Sequence, residues 1–461
     1  MTDKKRISID KGKRNRSDRI DEILSNSIMF FFIIQSANSS LKTVFPSLAD
    51  SLGGMISAIS GGLIMFFVIR SMIYVWRRSR TAVVLSYLLF AAIYGVSLFI
   101  NITSGAPINL LIRESLMWTM VWWLPMGLII YSVRNKTILY SQIVRWSYLL
   151  SVVTLTAMIS YVSNIINLNM DSLNRGNYNM FFSYMLVFPL IIHFNEIIDK
   201  HYKKNLVFFV VEFVAILING SRGALLCIGG FLLLKFFLGN MSVANKIKLS
   251  FFAVLAASSL YFGSRIIFKE LESYGITSRT LEKIAGGEGA ESDDRWEMFG
   301  YAIDFIKERP VLGYGLGGDF YVMYKKVFGT EPESVKDALT VHNGFLQILM
   351  CFGVFFGSIA IFIFWRPLFL FPRIKDSYTR ILMVILFSVF IIPNFAVGDG
   401  VFVKPGIALY IYLFYNWLNT RKRVRLKRIK DQKKKQNEFS KLQGEIAGQQ
   451  QAIEGIGLSS V

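Results

Sequence analysis

Long apolar blocks recur along this chain, at roughly 23–41, 54–76, 82–101, 114–131, 146–167, 178–198, 204–219, 222–239, 247–264, 342–365, 379–397 and 401–419. Each is close to the length of about twenty residues that a helix needs to cross the hydrocarbon core of a bilayer. In lipid the backbone must satisfy its own polar groups, so such blocks can cross only as helices. The chain is therefore expected to be an all-α polytopic membrane protein with about twelve transmembrane helices. Composition agrees: 53% of the 461 residues are hydrophobic and 15% aromatic, more apolar than a soluble domain.

The net charge is +20. The Lys and Arg residues are not spread over a domain as a nucleic-acid surface requires. They sit at the two termini and in every second link, as the positive-inside bias produces. Arg77, Arg78 and Arg80 follow the second block, and Arg134, Lys136 and Arg145 follow the fourth. Lys200, Lys203 and Lys204 follow the sixth, Lys246 and Lys248 the eighth, and Arg366, Arg373, Lys375 and Arg380 the tenth. The alternation predicts cytoplasmic termini and no nucleic-acid partner. Five regions result: a basic head at 1–22, spans one to nine within 23–264, an extracytoplasmic loop at 265–341, spans ten to twelve within 342–419, and a basic, then polar tail at 420–461. The head is followed by an apolar block without a small-residue cleavage site, so it reads as an anchor rather than a signal peptide. Cys227 and Cys351 both lie in apolar blocks and suggest neither a disulfide framework nor a metal site.

The 265–341 loop has structure of its own. Asp293 or Asp294 can cap a helix from Arg295 to about Lys307, which Pro310 stops. Trp296, Phe299, Ile303 and Ile306 share a face at helical spacing, giving an amphipathic element suited to the membrane surface. The run Val311-Leu312-Gly313-Tyr314-Gly315-Leu316-Gly317-Gly318 reads as a turn. It lacks the Lys-Ser/Thr of a phosphate loop. Glu291, Asp293 and Asp294 are close in sequence but show no spaced metal-ligand pattern, so no metal is expected.

Ionisable residues at apolar blocks are costly and serve as candidates for function. Arg222, in Asn219-Gly220-Ser221-Arg222-Gly223, breaks the positive-inside pattern. It is either a snorkelling residue that caps helix carbonyls or an anion ligand reached across small neighbours. His342 opens span ten beside Asn343 and Gly344. It is either an interfacial helix cap or a general base, since imidazole suits proton transfer near neutral pH. His193 and His201 are placed toward the cytoplasmic end of span six, away from the loop. Arg295 is either one partner of a surface ion pair with Asp293 or Asp294, or the second half of an arginine clamp. Guanidinium forks match diphosphate oxygens bidentately.

In order, Ser221-Arg222-Gly223-Ala224-Leu225-Leu226, Arg295-Trp296, Glu308-Arg309-Pro310-Val311-Leu312-Gly313-Tyr314-Gly315-Leu316-Gly317 and His342-Asn343, ten residues before Gly353, resemble the O-antigen ligase and O-antigen polymerase superfamily. Asn174-Arg175-Gly176-Asn177-Tyr178-Asn179 also resembles an Asn-rich stretch of that family. One departure is Phe356, where the family favours Gly, Thr or Tyr. The resemblance implies a GT-C-like glycosyltransferase in the bacterial inner (plasma) membrane, with its active site on the outer face. It would take glycan from undecaprenyl diphosphate, invert the anomeric centre, and need no metal, nucleotide or other cofactor. By the same resemblance Arg222 and Arg295 hold the diphosphate and His342 deprotonates the acceptor hydroxyl. Arg175, Arg265, Asp294 and Asn343 are supporting candidates. The implied partners are an undecaprenyl-diphosphate-linked oligosaccharide, a glycan acceptor, membrane lipid and, for a polymerase, a chain-length regulator.

The superfamily divides into polymerases, which join repeat units, and ligases, which move glycan to a lipid or protein. Nothing in the sequence marks a core-lipid acceptor, so polymerase is the expectation. Two other classes compete. A lipid-linked glycan flippase or other transporter fits the span count but should show related halves and charged mid-bilayer segments, and no repeat is visible. A structural scaffold does not account for a large loop with Arg and His at its base.

Overall fold

The protein is described from a computed structural model over residues 16–108, 118–167, 180–200, 203–219, 222–239, 241–251, 295–331, 339–374, 376–397, most of 419–446, and a few isolated positions between 116 and 258. All its regular elements among these residues are helical. They are α1 (Arg16–Val44), α2 (Pro46–Ser104), α3 (Leu124–Ser132, entered through a π-helical turn at Trp118–Trp123), α4 (Lys136–Asn167), α5 (Met180–Lys200), α6 (Lys203–Ile218) and α7 (Arg222–Leu238). Then come α8 (Arg295–Glu308), α9 (Gly318–Phe328), α10 (Gly344–Trp365), α11 (Ser377–Leu386) and α12 (Ile392–Val397). A 3₁₀ segment at Arg366–Arg373 links α10 to α11, and a π turn at Phe387–Ile391 links α11 to α12.

Among the described residues six helices are long and apolar enough to cross a membrane, and Thr119–Ser132 and Gly223–Leu238 are shorter apolar ones. One of the six, Ser51–Ser104, holds two of the expected blocks. The link expected at 77–81 is reduced to a single non-helical residue, Ser79 (φ −147°, ψ 39°). The block expected at 146–167 belongs to a helix that starts ten residues earlier, at Lys136. Hydropathy marks the part of a helix in lipid, whereas Lys, Gln and Arg are good helix formers and extend it beyond. The expected span 401–419, apart from its last residue, and most of 247–264 lie outside the described residues.

Polar contacts sort the helix ends into two groups. At one end Asp21 of α1 pairs with Arg78 at the α2 kink and accepts from the backbone amides of Arg134 (3.2 Å) and Asn135 (2.9 Å). Tyr140 of α4 donates to Glu196 of α5 at 2.6 Å, and its ring lies 5.7 Å from that of Tyr378 of α11, tilted by 51°. Lys235 of α7 bonds Asp199 of α5 at 2.9 Å. Thus the links at 77–80 and 133–136, Asp199 at the end of α5 and the start of α11 share one end. At the other end Asn101 of α2 donates to the carbonyl of Leu316 at 2.9 Å, which ties that helix to the 265–341 segment.

The chain divides into two compact units, Met1–Tyr412 and Leu413–Val461. The second contains a helical run over 425–444 with exposed side chains, rich in Lys and Arg at its start.

Candidate active site

The 265–341 segment is fastened to the bundle by its glycine turn. The helix expected from Arg295 is present and ends at Glu308, two residues before Pro310. Its buried face is Ala302 and Ile306, with Met298, Phe299, Tyr301 and Phe305 partly buried around them. These pack on Met323 of α9 and on Val341 and Met350. The four residues of the expected apolar face divide between protein contact and exposure. Phe299 and Ile306 pack inward, but Trp296 and Ile303 are 63% and 43% exposed. The helix is apolar over a wide arc, and the neighbouring α10 takes the side carrying Ala302.

After Pro310 the chain runs into the break of α10. That helix is kinked at Gly353, whose φ is +71°. The broken turn releases backbone groups, and the loop takes them up. Tyr314 N donates to the Met350 carbonyl at 2.8 Å, Gly315 N to that of Cys351 at 2.9 Å, and Val354 N to that of Pro310 at 2.6 Å. The turn expected at 311–318 is present, and it leads into a helix, α9, that periodicity did not reveal.

The first turn of α9 places Asp319 in the interior, 2% exposed. Its Oδ1 accepts from the Gly317 amide at 3.0 Å and its Oδ2 from Gln347 Nε2 of α10 at 2.9 Å. The Cys351 thiol also bonds it. Burial pushes this carboxyl up to about 6, although hydrogen bonds from Gln347 and Cys351 oppose the rise. Asp319 is the functional candidate that sequence reasoning missed. Its one signal was an acidic residue directly after a glycine cluster and before an apolar run.

His342 precedes α10. Its φ of +53° makes it the one non-glycine residue with positive φ among those described. A β-carbon disfavours that region, and such outliers persist where surroundings over-determine them, often at functional sites. The ring Nδ1 shares a hydrogen bond with Thr340 Oγ1 at 3.2 Å. His342 is not the helix cap. Asn343 is: its Oδ1 accepts from the amides of Phe345 (3.0 Å) and Leu346 (3.2 Å). Asn343 thus starts α10 directly behind His342.

Arg295 is half-buried at the first position of α8, the helix packed on Val341 and α10. Arg222 is the first residue of α7, and its side chain lies outside the described residues, as do Arg175, Arg265, Asp293, Asp294 and Glu291. The structure thus brings together His342, Asn343 and the helix carrying Arg295.

A second polar cluster lies within the spans. His193 Nδ1 is 3.0 Å from Glu212 Oε1, and its Nε2 is 3.1 Å from Ser147 Oγ. Ser151 also donates to Glu212, and both His193 and Glu212 are fully buried. The signal for it was legible: Glu212 interrupts an apolar block.

Comparison with curated proteins and with solved structures returns no match. A family model described as O-antigen ligase matches residues 207–362, the stretch that holds most of α6, α7 to α9 and most of α10. That match contains Arg222, Arg295, Asp319 and His342 and supports the resemblance to the O-antigen ligase and polymerase superfamily.

Proposed function

We propose that the protein is a glycosyltransferase of the outer face of the bacterial inner membrane, which polymerises the repeat units of a surface polysaccharide carried on undecaprenyl diphosphate. The observation that carries this reading is the left-handed, Thr340-bonded His342 at the start of α10, next to the helix that begins with Arg295. His342 takes the proton of the acceptor hydroxyl, a poor nucleophile without a base. The oxygen attacks the anomeric carbon, the bond to the diphosphate breaks, and the configuration inverts. Arg222 and Arg295 hold the lipid diphosphate as negative charge grows on the leaving oxygen. Arg175, Arg265 and Asp294 support the donor site. No metal or nucleotide takes part.

The description of the matched family favours a second reading, a ligase that moves glycan to a lipid or protein acceptor. The test is an assay of the purified protein with synthetic undecaprenyl-diphosphate repeat units. Lengthening of lipid-linked chains supports the polymerase, and transfer only to an added lipid or protein supports the ligase. Folded protein that makes neither product rejects the enzyme reading. His342→Ala is expected to abolish transfer while still inserting in the membrane.

A further inference from the structure

We propose that Asp319 is a positioning residue for His342: it clamps the glycine turn to the first turns of α10, and that clamp fixes the left-handed backbone on which the His342 ring is presented. This deepens the reading of His342 as the base and rests on it.

The clamp has two jaws. On one side Asp319 Oδ1 accepts from the Gly317 amide, which belongs to the turn. On the other, Oδ2 accepts from Gln347 Nε2. The Gln347 amide in turn donates to the Asn343 carbonyl at 3.0 Å, so the contact reaches the residue that follows His342. On the other flank of His342, Val341 is 1% exposed in the cluster with Ala302, Ile306, Met323 and Met350. His342 is therefore held between a packed neighbour and a hydrogen-bonded one. That is the over-determination that a non-glycine residue at φ +53° requires.

The chemistry of the clamp suits a carboxylate. The Gly317 amide, the Gln347 side-chain amide and the Cys351 thiol are all neutral donors. A carboxylate offers two acceptor oxygens and no donor to clash with them. An apolar side chain here would leave buried donors without acceptors.

The experiment joins hydrogen exchange and kinetics on the full chain in lipid nanodiscs. Asp319→Ala is expected to speed exchange at 313–318 and 342–348. It should lower kcat about a hundredfold, the cost of a base displaced by about 1 Å, while the KM for the lipid-linked donor stays within about twofold because donor binding is not its task. Asp319→Asn can keep an acceptor for Gly317 and donate to a turned Gln347 amide, so it should retain most of the activity. Gln347→Ala should resemble Asp319→Ala, and the double variant should be little worse than either. Should Asp319→Ala fail to fold, Gln347→Ala carries the same measurements. Unchanged exchange overturns the proposal, as does an Asn variant as impaired as Ala. Faster exchange with an unchanged kcat, in an enzyme that His342→Ala silences, overturns this proposal alone. An active His342→Ala overturns the base reading together with it.

Discussion

Gly313 of the loop abuts the backbone of Met350 and Cys351, and Gly353 of α10 abuts that of Pro310 and Val311. A β-carbon on Gly313 would lie 2.3 Å from the Met350 carbonyl oxygen, and one on Gly353 would lie 2.4 Å from that of Val311. Both residues have positive φ, +65° and +71°. Neither neighbour is a side-chain tip that can swing aside, since both are backbone. Alanine at either position should therefore cost more than about 3 kcal/mol, from close contact and left-handed backbone together. Gly300 is the control: it is helical and has open space around its missing β-carbon, so alanine there should be neutral or stabilise by up to about 1 kcal/mol. Thermal unfolding of the four purified proteins measures the difference, and a Gly353→Ala as stable as Gly300→Ala contradicts the packed turn.

The arginine clamp predicts that charge alone will not suffice. Arg222→Lys and Arg295→Lys keep a cation but lose the fork that matches two phosphate oxygens. Each should lower transfer about a hundredfold, the scale of losing one preorganised donor at a developing charge. Initial rates with the lipid-linked donor decide this. A lysine variant at either site with near-normal rates removes that residue from the diphosphate site.

Much of this architecture was legible in the sequence, and what was not has a common cause. Apolar blocks fall in the long apolar helices because lipid imposes a length, and Pro310 marked the end of α8 because its backbone chemistry is local, whereas the cap weighed for His342 is Asn343. The grouping of Asp21, Arg78, Tyr140, Asp199 and Lys235 at one end rests on polar contacts between helices. The rest depends on contacts between distant segments. No local pattern says that 310–315 will fill the kink at Gly353, or that Asp319 will face Gln347. Which part of the apolar arc of α8 packs inward is set in the same way. Two apolar faces were available, and the packing partner chose between them.

The His193–Glu212 pair predicts a stability effect separate from transfer. Both groups are fully buried between α4, α5 and α6, and Ser147 and Ser151 complete their bonding. Glu212→Ala leaves His193 Nδ1 without its carboxylate partner, while Ser151 keeps the Ser147 carbonyl, and should cost about 3–5 kcal/mol, as breaking a buried pair does. Glu212→Gln keeps one acceptor oxygen and should cost about 1 kcal/mol. Unfolding in detergent ranks the variants, and the activity per folded molecule should not change. A Glu212→Ala that is stable but inactive would instead give this cluster a part in the reaction.

Asp319 gives a prediction whose sign depends on pH. Its carboxyl titrates at about 6 in the folded protein because burial disfavours the charge, whereas in the unfolded chain it titrates near 3.9. Between these values the folded state holds the proton that the unfolded state releases. Stability therefore falls as pH rises through that window, and the full penalty stands above pH 6. The gap is worth up to about 3 kcal/mol at neutral pH. Asp319→Asn has no charge to bury and can keep the bonds to Gly317 and Gln347. It should thus be at least as stable as the wild type at pH 7.5, and the advantage should vanish near pH 4. Melting temperatures of both proteins from pH 4 to pH 8 test this, and an Asn variant less stable at pH 7.5 than at pH 4, relative to wild type, would reverse the sign.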